Sequence, residues 1–192
     1  LQPMQGKVRR LMSTEQHLWL VSPHELKAVD KQTLTFSYSL PLSKDALVLP
    51  FDRQQVLVAS QQQVISVSGT GRIDAIKTQA DCPLSCLPDY RVYDFLLGQS
   101  LVWLGTDRGL HHFSLADMSF SQERSDGLNQ LSPVMRVLAD REQRLWLVYP
   151  NRVASFQIQT GTSALYYSPL NRIFDARINP QEELLLHTKR GG

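Results

Sequence analysis

The sequence predicts an all-β protein, and three observations support that class. Short runs rich in Val, Leu, Ile and aromatic residues alternate with polar turns along most of the chain. A segment centred on Trp or Leu recurs at nearly regular intervals. A helical interpretation fails over residues 134–158, because Val, Leu and Trp follow one another closely there and Pro150 interrupts the run.

The recurring segment indicates the architecture. Its central positions are 38, 46, 43 and 39 residues apart, which is close to the period of roughly 40 to 50 residues that a β-propeller blade has. We therefore predict a β-propeller fragment of about four and a half four-stranded blades. The five central positions are Trp19, Leu57, Trp103, Trp146 and Leu185.

Each blade is expected to contain four short antiparallel strands. In the fourth blade these are residues 134–138, 145–149, 152–157 and 164–167, separated by polar turns. All blades are assigned to a single fragment, residues 1–192. The predicted blades span residues 7–40, 45–77, 91–124 and 133–168, followed by a half blade at 172–192.

Composition narrows the range of partners. The chain of 192 residues is 42% hydrophobic and 20% charged, which is typical of a globular protein and excludes a disordered, collagen-like or disulfide-dense one. The net charge is only +2 and the basic residues are scattered, with 7–10 the densest cluster, so no nucleic-acid partner is expected. No apolar run reaches the roughly 18 residues that cross a bilayer.

The fifth blade is predicted to be incomplete. It has two strands, at 173–178 and 184–187, where the other blades have four. Together with a start at Leu1, this indicates a piece of a longer propeller, with membrane attachment only through segments outside the chain. Open ends expose apolar blade faces and strand edges, and these favour association, including homo-oligomers.

Three tryptophans are predicted to be structural. Trp19, Trp103 and Trp146 occupy equivalent positions in three blades, where we expect them to pack between neighbouring sheets rather than bind a ligand.

The strands that line a propeller channel provide the candidate ligand site. Ten residues before each central position stand Arg9, Leu47, Tyr93, Arg136 and Asp175. Arg9, Tyr93, Arg136 and Asp175 are predicted to form a channel mouth that binds a polar or anionic solute, since concave sites use a few convergent polar groups. The alternative is that these four residues are solvated rim positions.

No catalytic residue, cofactor or metal site is predicted. Cys82 and Cys86 are either a short-loop disulfide or two free thiols, and a zinc site is not expected because no second Cys or His pair is close in sequence. The sequence has no Gly-x-Ser-x-Gly, His-Glu-x-x-His or phosphate-loop motif.

One segment indicates a family. Residues 101–113, Leu-Val-Trp-Leu-Gly-Thr-Asp-Arg-Gly-Leu-His-His-Phe, resemble the two-component regulator propeller repeat, in which a Leu-Trp-Ile-Gly-Thr strand leads through a turn and a Gly-Leu pair into an aromatic strand. Residues 137–140 and 144–147 resemble the preceding half of that repeat, where an acidic turn comes before the Trp strand. Leu57 and Leu185 depart from the pattern, since the family prefers Trp there.

Propellers with this repeat form the sensor region of membrane-bound bacterial signalling proteins, usually in the periplasm, ahead of a transmembrane helix and a histidine kinase or diguanylate cyclase module. The resemblance thus implies a non-catalytic, periplasmic sensor portion that binds an unknown small molecule, with a carbohydrate suggested by analogy. The main alternative is a stand-alone scaffold for protein–protein interaction. An enzyme would need converging acid and base residues, and the adjacent Glu182 and Glu183 alternate faces on a strand.

Overall fold

The computed structural model describes residues 7–44, 46–60, 63–77, 81, 90–98, 100–123, 128, 133–167 and 172–188. Over these ranges the chain forms five antiparallel sheets, four with four strands and one with two. These sheets confirm the all-β class and the predicted series of four blades and a half blade. Within the same ranges no helix is long and apolar enough to cross a membrane.

The chain divides into two compact units, Leu1–Pro88 and Asp89–Gly192. The first unit holds two blades and the second holds two blades and the half blade. The assignment of residues 1–192 to a single fragment stays a prediction. The strands of the first unit are β1 Arg10–Ser13, β2 His17–Val21, β3 Glu25–Asp30, β4 Phe36–Pro41, β5 Leu47–Pro50, β6 Gln55–Ala59, β7 Val64–Ser68 and β8 Ile73–Lys77. Those of the second are β9 Val92–Leu97, β10 Leu101–Thr106, β11 Gly109–Ser114, β12 Ser119–Gln122, β13 Arg136–Ala139, β14 Arg144–Tyr149, β15 Arg152–Gln157, β16 Thr162–Tyr167, β17 Ile173–Ile178 and β18 Leu184–Thr188.

A hydrophobic core joins the two blades of the first unit. Trp19 is fully buried in it, and its indole N–H donates to Thr14 Oγ1 at 3.0 Å. His17 lies two residues earlier on the same strand face, and its ring packs so closely on Gly69 of the second blade that a Cβ at Gly69 would overlap it. The other buried members of this core are Leu26, Ala28, Val48, Val56, Val58, Ile65 and Val67.

Two further cores join the blades of the second unit. Between the third and fourth blades, Trp103 packs edge-on against Phe156 with the ring centroids 5.9 Å apart. Between the fourth blade and the half blade, Val148 and Val153 pack against Ile173 and Ala176. Both faces of the fourth blade are therefore apolar, as expected for a sheet that stands between two others.

The Gly-Thr pair of the third blade is required by its contact with the fourth. A Cβ on Gly105 would lie 2.7 Å from the Val134 carbonyl oxygen, so the close approach of the two backbones needs glycine. Val134 N–H in turn donates to the Thr106 carbonyl at 2.9 Å. Val134 thus bonds to another blade, and β13 begins at Arg136, two residues later than the sequence predicts.

The Thr106 hydroxyl organises the turn that follows. It donates to the Gly109 carbonyl at 2.9 Å and accepts the Arg108 N–H at 3.0 Å. Gly109 has φ +106°, a left-handed conformation that disfavours side chains. The Thr-x-x-Gly spacing of the resembled repeat is thus a hydrogen-bonded turn between β10 and β11.

In the fourth blade, the acidic turn before Trp146 is also organised by one side chain, that of Asp140. Asp140 Oδ2 accepts from the Trp146 indole N–H at 3.0 Å and from Arg144 Nε at 2.8 Å. Burial alone would raise the pKa of Asp140, but the hydrogen bonds from Arg144 and Trp146 outweigh it, and the pKa is lowered. Thr14 accepts from Trp19 at the equivalent place in the first blade.

The burial of His111 predicts a pH dependence of stability. Burial lowers the pKa of His111 below its ordinary value of 6.5, although the Gly109 carbonyl and Asp107 oppose this effect. As pH falls, the unfolded chain takes up this proton first, so the free energy of unfolding should decrease from about pH 7 towards pH 5. In urea titrations followed by circular dichroism, His111→Gln should flatten this slope, and the exposed His24→Gln should not. Equal slopes in wild type and His111→Gln would contradict the prediction.

Candidate functional site

The first strands of the three sheets in the second unit lie side by side. β9, β13 and β17 each form one edge of their sheet, and β13 contacts both β9 and β17. We call them the inner strands of this unit, because each contacts the first strand of a neighbouring sheet.

Strand pairing shows which residues are equivalent on the inner strands. Arg136 pairs with Val148, two residues after Trp146. Asp94 pairs with Gly105, two residues after Trp103. Asp175 pairs with His187, two residues after Leu185. Asp94, Arg136 and Asp175 therefore occupy one position in three successive sheets, and we call them the inner-strand triad.

This register corrects two of the positions predicted by counting. The first hairpin of the first and third blades is one residue shorter than in the other blades, so the equivalent residues are Arg10, which pairs with Val21, and Asp94. Arg9 and Tyr93 each lie one residue too early. A fixed count of ten cannot detect a change in hairpin length, whereas the carboxylate of Asp94 is visible in the sequence once the register is known.

The triad is held together by the guanidinium of Arg136. Its Nη2 lies 3.2 Å from Asp175 Oδ1, and its Nε lies 3.7 Å from Asp94 Oδ2. Asp94 Oδ2 also accepts the Val137 N–H at 3.1 Å, which ties the inner strand of the third blade to that of the fourth. Asp175 Oδ1 accepts the N–H of Ala176 at 2.9 Å.

Charge and exposure decide what the triad can bind. Two carboxylates surround one guanidinium, so the formal charge of the triad is −1. Arg136 is therefore not available as an unopposed anion-binding group. The side chains are accessible, with relative exposures of 21% for Asp94, 42% for Arg136 and 56% for Asp175. Such a cluster can accept hydrogen bonds from hydroxyl or ammonium groups and donate to a carbonyl or hydroxyl oxygen.

The remaining predicted site residues lie elsewhere. The Tyr93 ring lies under the Arg91 guanidinium at 5.2 Å. Arg9 belongs to the first unit, where its N–H donates to the Val21 carbonyl and its residue surface is exposed. Leu47 is buried in that unit. Of the four predicted ligand contacts, the structure brings Arg136 and Asp175 together.

The structure describes the three tryptophans but not the two cysteines. Trp19 and Trp103 are buried, whereas Trp146 is only partly buried. Cys82 and Cys86 lie outside the described residues. Among the residues that the structure describes, no group of three or more His, Cys, Asp or Glu side chains is placed to hold a metal ion.

These features define a class: a β-propeller fragment with a charged cluster on its inner strands. The chain is similar to the extracellular domain assigned to the hybrid two-component system BT3049 of B. thetaiotaomicron, at 18% identity and a TM-score of 0.66, covering 100% of this chain and 27% of that one. It is similar to the extracellular domain assigned to the one-component system BT4673 of the same organism, at 15% identity and a TM-score of 0.66, covering 98% of this chain and 27% of that one.

A third similar structure is the WD40 propeller domain of Doa1, with 14% identity, a TM-score of 0.67 and coverage of 98% of this chain and 62% of that one. No protein-family model matches the sequence, and a comparison with curated proteins gives no match. The chain thus spans about a quarter of the two extracellular domains, and at these identities the similarity establishes the β-propeller fold. The resemblance of residues 101–113 to the two-component regulator repeat is matched by the fold of these extracellular domains.

Proposed function

We propose that this chain is a non-catalytic part of the extracytoplasmic, ligand-binding propeller of a membrane-bound bacterial signalling protein, located in the periplasm. Its ligand is a small polar molecule that contacts the inner-strand triad. The fold supports this proposal, because the similar extracellular domains belong to proteins assigned to one- and two-component systems.

The observation that carries the ligand-binding part is the position of the triad. Asp94, Arg136 and Asp175 come from three different blades and meet on the inner strands with their side chains accessible. Exposed ion pairs contribute roughly 0–1 kcal/mol to stability, so the folding benefit of this cluster is small. A polyhydroxylated molecule such as a sugar would satisfy the free acceptors of the carboxylates and a donor of Arg136 together.

Calorimetric titration of the chain with a panel of mono- and oligosaccharides tests the ligand site. We expect Asp175→Asn to weaken the binding of any active sugar tenfold or more, because Asp175 is the most exposed carboxylate of the triad. Asp74→Asn is the matched control, since Asp74 is also exposed and paired with an arginine, Arg72, but lies on the outer strand β8. Equal affinities of wild type and Asp175→Asn for the sugar would contradict the proposal that the triad binds it.

The coding DNA that follows the Gly192 codon tests the signalling context separately. A continuation through further blades to a transmembrane helix and a kinase or cyclase module is the expected result. A stop codon directly after Gly192 would instead favour the stand-alone interaction scaffold.

A further inference from the structure

A four-residue motif occurs twice at the inner strands, once in the blade before the fourth and once in the blade after it. Residues 91–94 are Arg-Val-Tyr-Asp, and residues 172–175 are Arg-Ile-Phe-Asp. The two motifs are equivalent in register, because the second residue of each pairs with a threonine of the neighbouring strand, Thr106 or Thr188. Each motif ends on a carboxylate of the triad. The fourth blade has Pro-Val-Met-Arg at residues 133–136 instead.

The aromatic residue of each motif is the extra residue of a β-bulge. The pairing of β9 with β10 skips Tyr93, and the pairing of β17 with β18 skips Phe174. A bulge changes the direction of a side chain. The ring of Phe174 lies 6.3 Å, between centroids, from the ring of His187, which pairs directly with Asp175. Since directly paired residues share a face of the sheet, the bulge of the fifth blade brings the aromatic ring to the face of the triad carboxylate.

An arginine guanidinium stacks on each of these rings. Arg91 Cζ lies 5.2 Å from the ring centroid of Tyr93, and Arg172 Cζ lies 5.6 Å from that of Phe174. Both arginines are exposed, and no carboxylate in the described part of the chain forms an ion pair with either guanidinium. Stacking on a ring fixes the orientation of a guanidinium, while its N–H edge can donate two parallel hydrogen bonds to a carboxylate.

The motif of the third blade stays accessible although a complete blade stands next to it. β9 contacts β13 of the fourth blade, yet Tyr93 is only partly buried and Arg91 is exposed. The accessibility of the motif therefore comes from its place at the inner strand and does not require that a neighbouring blade be absent.

The two motifs and Arg136 together carry charges of both signs in a fixed order. The triad alone has two carboxylates and one guanidinium, so it repels an anionic group. Arg91 and Arg172, three residues before the two carboxylates, bring the formal charge of the whole set to +1. A matching ligand has hydroxyl groups where it meets the triad and acidic groups where it meets the two flanking arginines.

We infer that the two motifs make this site specific for an acidic oligosaccharide. Carboxylates of the ligand pair with Arg91 and Arg172, and its hydroxyl groups donate to Asp94 and Asp175. A chain of uronic acids has this chemistry, because every sugar unit carries a carboxylate beside its hydroxyl groups. The inference rests on the proposed ligand site and names the class of its ligand.

Calorimetric titration of the full chain with trigalacturonate and with its uncharged methyl ester tests this specificity. We expect the acid to bind at least tenfold more tightly than the ester, and the preference to decrease as salt is added, because both arginines are exposed. Arg91→Gln and Arg172→Gln should each weaken binding of the acid about tenfold and leave binding of the ester unchanged. Arg177→Gln is the matched control, since Arg177 is also exposed and lies on β17 outside the motif.

Tricarballylate separates a sugar ligand from any anion, because it has three carboxylates and no sugar hydroxyl groups. It should bind at least tenfold more weakly than trigalacturonate. Equal binding of these two, equal binding of acid and ester, unchanged binding of the acid by both arginine variants, or no binding of the acid at millimolar concentration would each overturn the inference.

The Asp175→Asn variant keeps this inference distinguishable from the proposed ligand site. If acid and ester bind equally and Asp175→Asn weakens both, the inference of acid specificity fails and the proposed ligand site stands. If the acid is preferred through Arg91 and Arg172 but Asp175→Asn has no effect, the arginine contacts stand and the proposed contact with the triad fails.

Discussion

Trp103→Ala is expected to lower the free energy of unfolding by about 4 kcal/mol, the largest effect we predict for a single substitution. Trp103 lies in the core between the third and fourth blades, together with Leu145, Leu147 and Phe156. Removing the indole leaves a cavity between two sheets whose backbones are held by their own hydrogen bonds, so the walls can collapse only in part. Urea unfolding followed by far-ultraviolet circular dichroism measures the loss without relying on tryptophan emission.

Trp146→Ala is the matched comparison, because Trp146 is the equivalent residue of the next blade but is only partly buried. Its removal should cost about 2 kcal/mol, since less of the indole is transferred from water on folding. Equal losses for the two variants would contradict the difference in burial. The order of the two losses is therefore as informative as their size.

The second large effect is predicted for Gly105→Ala, which should destabilise the chain by about 3 kcal/mol. The added Cβ would lie 2.7 Å from the Val134 carbonyl oxygen and 3.1 and 3.2 Å from methyl carbons of Val134 and Val137. A clash with a backbone oxygen is not relieved by rotating a side chain, so the two blades must separate. That movement also strains the bond from Val134 N–H to the Thr106 carbonyl.

Gly161→Asn controls for the loss of a glycine as such. A Cβ at Gly161 meets nothing within 4 Å, and asparagine tolerates the local φ of +68° better than most residues. This variant should change the free energy of unfolding by no more than about 0.5 kcal/mol in the same urea titration. A Gly105→Ala variant as stable as Gly161→Asn would show that the blades are not in close contact at Gly105.

The resembled repeat can now be explained by contacts. Its glycine permits two blades to approach at Gly105, its threonine closes the turn to Gly109, and its acidic turn residue accepts the indole hydrogen of Trp146. Blades that lack one of these residues use others: Thr14 accepts from Trp19 in the first blade. The same contact to a tryptophan is therefore made by Asp140 in the fourth blade and by Thr14 in the first.

The candidate site was less accessible to prediction than the strands. Counting from the tryptophans found Arg136 and Asp175 but gave Tyr93 where Asp94 is the equivalent residue. The reason is local: one residue fewer in a hairpin shifts the paired position by one, and neighbouring residues of a strand point to opposite faces. The charge of the site changes with that shift, since a tyrosine is replaced by a second carboxylate beside Arg136.

What the sequence by itself determined is the all-β class, the order of the strands and the equivalence of Trp19, Trp103 and Trp146, because these depend on local β-propensity and on a repeat that is directly readable. Only the tertiary structure decided that Asp94, Arg136 and Asp175 meet and that Trp146 is less covered than the other two tryptophans. Whether the three side chains come into contact depends on hairpin length and pairing register, and the burial of a tryptophan depends on which strand of another blade lies opposite. Neither the contact nor the burial can be read from one segment of the sequence taken alone.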